Sequence, residues 1–430
     1  MVFGFGSVFF LLKLLSKDEF GIWALFLTVT SIIEVARNGL IQNALIKHLA
    51  SAPEAEHGVI TTASFVLNFL LTALTVVLLL LLSGWLSQLW NAPPLAGMLK
   101  IYCITTILLI GLSQLIFVQQ ANFDFRGNFW GNFVRQGSLF AYIVLGYFFK
   151  ADVSLYDLAW FQVAGALLGG GTAFFFGRKY LRMTGHISWY WVAELFHYGK
   201  FVLGTNISSM LYKSIDKMML GAMLSTASVA IYDLAIRITN LLEVPTASMA
   251  AIMFPQSARQ AVTQGNAAVK RLYEKSVGII LALVLPAVGA IWIFAEPAIL
   301  LVAGSDYLDT VPVLRLTLLY GVFFPFSRQF GTVLDSMGKP RTNFYFVAIS
   351  AVLNIIFNYV FITRFGVMGA VYGALVTAVI RLALSQIVLY NILKVNFLNV
   401  FIYMKEFYIQ GALFGMALLR KRLGSQAIIL

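Results

Sequence analysis

The chain has 430 residues, of which 60% are hydrophobic and 11% are charged. Its mean hydropathy of +0.86 excludes an ordinary soluble globular protein and indicates an integral membrane protein. In a soluble chain the net charge of +12 would suggest nucleic acid as a partner. Here membrane topology explains the excess of basic residues, and no nucleic acid is expected.

Apolar runs long enough to cross about 30 Å of hydrocarbon as helices recur from end to end. The predicted spans are residues 21–46, 58–83, 99–121, 131–149, 155–176, 200–222, 228–253, 272–294, 311–335, 342–363 and 367–390. A short run at 1–15 precedes them and a weaker one near 397–419 follows. We therefore predict an all-α, polytopic membrane protein of about 12 to 14 transmembrane helices.

The loops between these spans alternate in charge. One set is basic and therefore faces the cytoplasm; it contains Lys47, Arg126, Arg178, Lys179, Arg182, Lys200, Arg259, Lys270, Arg271, Lys339, Arg341 and Lys394. The opposite set has few basic residues. The last segment fits this alternation poorly because Lys405 and Glu406 lie inside its apolar run. It is either a marginal span or a helix in the membrane interface.

An internal repeat relates the two halves of the chain. Residues 20–40 align without a gap on residues 229–249, and the pair Glu34-Val35 falls on Glu243-Val244. Each segment is the second helix of its half, which predicts two parallel six-helix lobes around a central cavity. The predicted domains are an N-terminal lobe at 1–199, including a basic cytoplasmic linker, a C-terminal lobe at 200–393, and an additional segment at 394–430.

The same offset makes the run 1–15 look like a first helix that lacks its beginning. The run has neither a basic leader nor a small-residue cleavage site, so it does not resemble a signal peptide. We expect the N-terminus to be truncated or its start to be misassigned.

Charged and amide side chains inside the spans form stripes along helix faces. One stripe joins Glu34, Asn38 and Gln42, with Arg37 beside it. A charge facing lipid at mid-bilayer costs at least about 2.5 kcal/mol, so we expect the stripes to line a hydrated cavity. The candidate substrate-binding residues are Glu34, Arg37, Asn206, Lys213, Asp216, Lys217, Asp233, Arg237, Glu243, Arg315, Arg328 and Arg381.

Basic residues outnumber acidic ones within the spans, which favours an anionic cargo such as a phosphate or diphosphate group. A structural role is the alternative. Asp216 with Lys213 or Lys217, and Asp233 with Arg237, could be neutralised pairs that only orient helices, and the long side chains of Lys213 and Arg315 could extend to the membrane surface.

Patterns typical of catalysis are absent from the sequence. The glycine run 169–171 lacks the Lys-Ser/Thr of a phosphate-binding loop, and the four histidines are isolated from Cys103 and from one another. No cofactor or metal is expected, and the chain is not expected to be an enzyme.

Three stretches resemble bacterial polysaccharide flippases of the multidrug, oligosaccharidyl-lipid and polysaccharide exporter superfamily. Residues 214–242 resemble the Asp-containing helix, short turn and Tyr-Ala helix that open the second half of these proteins. Residues 336–384 are similar to their Gly-Lys-Pro loop, Asn-rich helix and following helix, and residues 14–50 to the first-half counterpart. On this resemblance Asp216 matches the family's aspartate at the second-half opening.

The resemblance implies two six-helix lobes and often two further C-terminal helices. It implies flipping of undecaprenyl-diphosphate-linked oligosaccharides from the cytoplasmic to the periplasmic leaflet of the bacterial inner membrane, by alternating access, for cell-surface polysaccharides such as O-antigen. The expected partners are this lipid-linked oligosaccharide, membrane lipids, protons or sodium ions as coupling ions, and polysaccharide polymerase machinery.

Two other functions stay open at this point. A multidrug or cation exporter of the same superfamily would favour cationic drugs through the acidic side chains. A membrane-embedded glycan transferase would act on the same lipid, but such an enzyme normally carries a sizeable catalytic loop, and the loops between the predicted spans are short.

Overall fold

The computed structural model describes the backbone of residues 2–426, which is almost entirely helical and, within that range, contains no strand. The α-helices are α1 (Val2–Leu14), α2 (Lys17–Ser51), α3 (His57–Leu89), α4 (Pro93–Ala121), α5 (Arg126–Phe148), α6 (Leu155–Gly177), α7 (Trp189–Met223), α8 (Thr226–Thr239), α9 (Glu243–Thr263), α10 (Asn266–Ile293), α11 (Ala295–Ala303), α12 (Thr310–Gly321), α13 (Phe324–Ser336), α14 (Pro340–Phe365), α15 (Val367–Leu393) and α16 (Phe397–Gln426).

Eight segments of the described chain are long and apolar enough to cross a membrane. They are Lys17–Leu49, Glu54–Leu89, Pro93–Ala121, Leu155–Tyr180, Asn266–Ile293, Thr310–Ser336, Pro340–Phe365 and Val367–Leu393. The predicted all-α, multi-pass membrane class is therefore confirmed.

Two predicted spans are interrupted. Residues 228–253 form α8 and α9, separated by the short 3₁₀ turn Asn240–Leu242, and residues 311–335 form α12 and α13. Pro325 lies in the first turn of α13. The N–H groups of a first turn have no intrahelical acceptor, so a proline there breaks no hydrogen bond. The chain therefore starts a new helix at this proline.

Contacts divide the chain into two compact units. Unit 1 comprises Met1–Asp233 with Val302–Asp306, and unit 2 comprises Leu234–Leu301 with Tyr307–Leu430. In unit 1, α7 packs along α2 and α3. The lobes expected at 1–199 and 200–393 stay a prediction.

Local sequence sets the helix starts in unit 1. Ser16 and Glu19 form a capping box at the start of α2, because the serine hydroxyl accepts from the Glu19 N–H and the glutamate accepts from the Ser16 N–H.

Gln119 of α4 joins three helices. Its amide donates to the Ala173 carbonyl of α6 at 3.2 Å and accepts from the Gly127 N–H of α5 at 3.0 Å. In an apolar medium such interhelical hydrogen bonds fix helix positions.

In unit 2 a buried carboxylate attaches α16 to α10. Glu274 accepts from the Asn396 N–H at 2.8 Å and from the Asn399 side-chain amide at 3.0 Å, while the Asn396 side chain caps the N–H of Leu398. Further along the two helices, the Tyr408 hydroxyl donates to the Ala282 carbonyl at 2.7 Å. Residues 397 onward therefore begin as a helix packed on α10, while the orientation of segment 394–430 in the membrane stays open.

Gly21 allows α2 to approach the first residue of α8. A Cβ at Gly21 would overlap the carbonyl oxygen of Thr226, whose hydroxyl donates to Asp18 on the same turn of α2. Because backbone cannot swing away as a side chain can, Gly21→Ala should cost about 1–3 kcal/mol of stability, seen as a lower midpoint of thermal unfolding in detergent.

Gly84 of α3 provides the matched control, since a Cβ there meets nothing within 4 Å. We expect Gly84→Ala to be neutral or to stabilise by about 0.5–1 kcal/mol, because alanine is the better helix former. Equal unfolding midpoints for the two variants would contradict the proposed close approach.

Candidate functional site

A polar cavity of about 150 Å³ lies in unit 1 among α2, α4 and α5. Its polar lining is Glu34, Arg37, Asn38 and Gln42 from α2, Ser113 and Gln120 from α4, and Asn128 and Asn132 from α5. The three- and four-residue spacing of the α2 members places them on one helix face. The polar stripe seen in the sequence of α2 thus lines the cavity.

Two arginines and one carboxylate set the charge of this region. Arg135 of α5 pairs with Glu34, with Nη1 3.2 Å from Oε1. Arg37 is only 4% exposed, and its Nη1 donates to the Thr106 carbonyl at 2.9 Å. The sum of the three charges is positive, so the site favours a negatively charged group over a cation.

Two lining residues have a buried polar atom without a hydrogen-bond partner in the described structure, Arg37 Nε and Asn38 Oδ1, and so does Arg135, at Nε, which pairs with the lining residue Glu34. A buried polar atom left unsatisfied costs on the order of 1–3 kcal/mol, so such atoms mark where a ligand or water would bind. Two of the three are donors, which matches a ligand rich in acceptor oxygens.

The remaining lining is largely amide. Gln42 Nε2 donates to Gln120 Oε1 at 2.9 Å, and Asn132 Nδ2 donates to the backbone and side-chain oxygens of Asn128, both at 2.9 Å. Each amide both donates and accepts, as sugar hydroxyls do. Among the described residues, no group of three His, Cys, Asp or Glu side chains is placed to hold a metal ion.

A second charged cluster lies at the hairpin of α7 and α8. Lys217 Nζ donates to Asp233 Oδ1 at 2.9 Å, and the two side chains are 17% and 1% exposed. The Tyr232 hydroxyl donates to the buried Asp216 at 2.6 Å. Lys217 thus pairs with Asp233 across the hairpin, and the Tyr232 hydroxyl ties Asp216 to the neighbouring helix.

The other predicted residues are distributed more widely. Asn206 of α7 packs over Gly39 of α2, and Lys213 is exposed. In unit 2, Arg237, Glu243, Arg315, Arg328 and Arg381 lie on five different helices. Arg328 is exposed, and Nε of Arg315 is buried without a hydrogen-bond partner.

The α5 side of the cavity was not among the residues predicted from the sequence. Asn128, Asn132 and Arg135 follow the same three- and four-residue spacing that marked α2. Only Asn128 lies before the predicted span 131–149, because α5 begins at Arg126, while Asn132 and Arg135 lie inside that span. The same spacing rule, applied to the whole of α5, identifies all three residues.

The same fold occurs in solved structures of other membrane proteins. A solved inward-facing multidrug resistance MATE family transporter of the MOP superfamily matches with a TM-score of 0.81 at 14% identity, over 91% of this chain and 95% of that chain. The lipid II flippase MurJ, in an inward closed conformation, matches with a TM-score of 0.78 at 14% identity, over 95% of this chain and 88% of that chain. The chain belongs to the family of polysaccharide biosynthesis proteins, which matches residues 10–312. The family resemblance noted in the sequence is confirmed.

Two relatives carry names that bear on function. The probable low-salt glycan biosynthesis flippase Agl15 of Haloferax volcanii is 24% identical over 206 residues, which is 47% of this chain and 43% of the relative. The lipopolysaccharide biosynthesis protein WzxC of Escherichia coli is 22% identical over 396 residues, which is 88% of this chain and 75% of the relative. The chain therefore spans less than half of the archaeal relative and three quarters of the bacterial one.

Proposed function

We propose that this protein flips undecaprenyl-diphosphate-linked oligosaccharides from the cytoplasmic to the periplasmic leaflet of the bacterial inner membrane, by alternating access, for cell-surface polysaccharide assembly. The observation that carries the proposal is the polar cavity among α2, α4 and α5, which has Arg37 in its lining and Arg135 paired with its Glu34, in a member of the polysaccharide biosynthesis family. The flippase names of the relatives support it.

The chemistry of the cavity matches the head of such a lipid. Arginine guanidinium groups bind phosphate oxygens through charge-assisted hydrogen bonds, and Arg37 has an unpaired donor at the cavity. The asparagine and glutamine amides match sugar hydroxyls. These contacts replace the water that the polar head loses in crossing hydrocarbon, where unpaired polar groups are costly. A cavity of about 150 Å³ holds one sugar ring or the diphosphate rather than the whole head.

The other residues predicted from the sequence have supporting roles in this proposal. Protons or sodium ions are the proposed coupling ions, with Glu34, Asp216, Asp233 and Glu243 as their candidate carriers. The polysaccharide polymerase machinery is the proposed downstream partner, because a flipped lipid-linked unit must be consumed in the outer leaflet.

A multidrug exporter is the second candidate, since the fold is shared with a MATE transporter. The charge of the cavity argues against it. Arg37 and Arg135 outweigh Glu34, and such a site repels the cationic compounds that an acidic stripe would attract.

A leaflet assay tests the proposal. Proteoliposomes would carry a fluorescent undecaprenyl-diphosphate oligosaccharide, and a membrane-impermeant quencher would report its transfer between leaflets. We expect transfer to depend on the protein and to exceed that in protein-free vesicles. Transfer at the protein-free rate by correctly inserted protein would overturn the proposal, and ethidium transport by the same vesicles would favour the exporter.

A further inference from the structure

One end of unit 1 combines exposed cations with exposed aromatic rings. The turn between α4 and α5, residues 122–125, meets the 3₁₀ turn Arg178–Tyr180 that follows α6. We call this region the basic-aromatic corner; it comprises Phe123, Asp124, Arg126, Phe129, Trp130, Lys179 and Tyr180. All of these except Lys179 line a surface concavity of about 570 Å³.

Asp124 organises the cations of this corner. It accepts from Arg126 Nε at 3.0 Å and Nη2 at 2.8 Å, and from the Tyr180 hydroxyl at 3.1 Å, while Lys179 Nζ lies 3.6 Å away. These hydrogen bonds, chiefly those from Arg126, hold the pKa of Asp124 well below its usual range. The carboxylate is buried, but the side chains of Arg126 and Lys179 are 62% and 54% exposed. One carboxylate therefore fixes two cations that remain open to a further anion.

The aromatic part extends from the turn along α5. Phe125, Phe129 and Phe133 are exposed at four-residue steps and form one stripe, with Trp130 beside it. Phe123 is 84% exposed and has a φ of 55°, a left-handed conformation that a bulky residue rarely adopts. The turn thus directs a large apolar side chain outward instead of burying it.

The corner lies where membrane spans end. The span Pro93–Ala121 ends just before it and the span Leu155–Tyr180 ends within it. Its cations belong to the basic loops that sequence places on the cytoplasmic side. A ligand that fits must therefore present an anionic group at the membrane surface and an apolar chain along the adjoining helix, which describes an anionic lipid.

We propose that the basic-aromatic corner is a binding site for an anionic phospholipid of the cytoplasmic leaflet, of the phosphatidylglycerol type. Its phosphate pairs with Arg126 and Lys179, and an acyl chain lies along Phe129, Trp130 and Phe133. Charge complementarity selects this lipid over a zwitterionic one. The site is separate from the polar cavity and does not depend on the proposed transport function.

The other end of α5 provides a matched control. Lys150 is exposed there beside the exposed rings of Phe148 and Phe149, so cation and aromatic groups are again adjacent. Lys13 also lies near this end, with Nζ 5.8 Å from the centre of the Tyr147 ring, but among the described residues no carboxylate joins the two cations. If the lipid site is specific, only the basic-aromatic corner distinguishes an anionic lipid headgroup from a zwitterionic one.

The test is tryptophan quenching by brominated lipids in detergent-solubilised protein. We expect brominated phosphatidylglycerol to quench more strongly than brominated phosphatidylcholine, and Trp130→Phe to remove most of that difference. Arg126→Gln and Lys179→Gln should each weaken phosphatidylglycerol binding by about fivefold, and Lys150→Gln should leave it unchanged.

Several outcomes would overturn the proposal. Equal quenching by the two lipids in the wild-type protein would do so without any variant, as would equal weakening by Lys150→Gln. Displacement of the lipid by soluble glycerol 3-phosphate would assign the site to phosphate alone. Tighter binding of undecaprenyl diphosphate than of phosphatidylglycerol would assign it to the transported lipid instead.

Discussion

Replacing Arg37 with alanine should slow transfer of the lipid-linked oligosaccharide by about tenfold to hundredfold. A hydrogen bond to a charged group contributes roughly 1.5 to 3 kcal/mol, and each 1.4 kcal/mol corresponds to about a factor of ten. Arg37 is buried at the cavity with one donor on Thr106 and another unpaired, so water cannot easily replace its contacts with a ligand. The initial rate in the leaflet assay measures the effect.

Two companion variants make this result interpretable. Arg37→Lys keeps the positive charge but loses the planar fork of donors, and an intermediate rate is expected. Arg364→Ala removes an exposed arginine near the end of α14 and should leave the rate unchanged. Thermal unfolding of each variant separates lost binding from lost structure. A wild-type rate for a folded Arg37→Ala protein would exclude Arg37 from the substrate site.

Replacing Asp233 with leucine should lower the free energy of unfolding by about 3–5 kcal/mol, because it leaves the Lys217 ammonium in a mostly buried site without its carboxylate. The double variant Lys217→Met with Asp233→Leu should recover most of this loss, since an apolar pair of similar volume is often neutral or stabilising in place of a buried ion pair. Thermal unfolding in detergent at neutral pH measures both.

The double variant also separates structure from function for this pair. A stable double variant that flips lipid at the normal rate would make Lys217 and Asp233 a structural pair. A stable but inactive one would place them in the transport mechanism. If the double variant is as unstable as Asp233→Leu alone, Asp233 stabilises the hairpin through partners other than Lys217.

Much of the fold follows from periodicity and hydropathy in the sequence. The apolar runs located the membrane helices, and the three- and four-residue steps of Glu34, Asn38 and Gln42 identified the α2 face of the cavity. Both signals are local, because a helix sets its own face and its own length.

The pairings between helices could not be read in the same way. The structure adds a pair that the sequence did not suggest, because Lys217 reaches Asp233 across the hairpin. Arg135 of α5 pairs with Glu34 of α2, although the two residues are 101 positions apart in the sequence. Which basic residue pairs with which carboxylate depends on how the helices pack, and a local pattern does not contain that information. The start of α5 was also missed by hydropathy, because Arg126 and Asn128 resemble loop residues.

All of the residues that line the polar cavity belong to unit 1. A ligand bound only by one unit gains the same binding free energy in every conformation that leaves that unit unchanged. Such a ligand cannot shift the population of those conformations, however tightly it binds. Binding of the lipid head among α2, α4 and α5 would therefore not drive the conformational change of alternating access. The free energy for that change must come from groups whose contacts differ between the two alternating conformations.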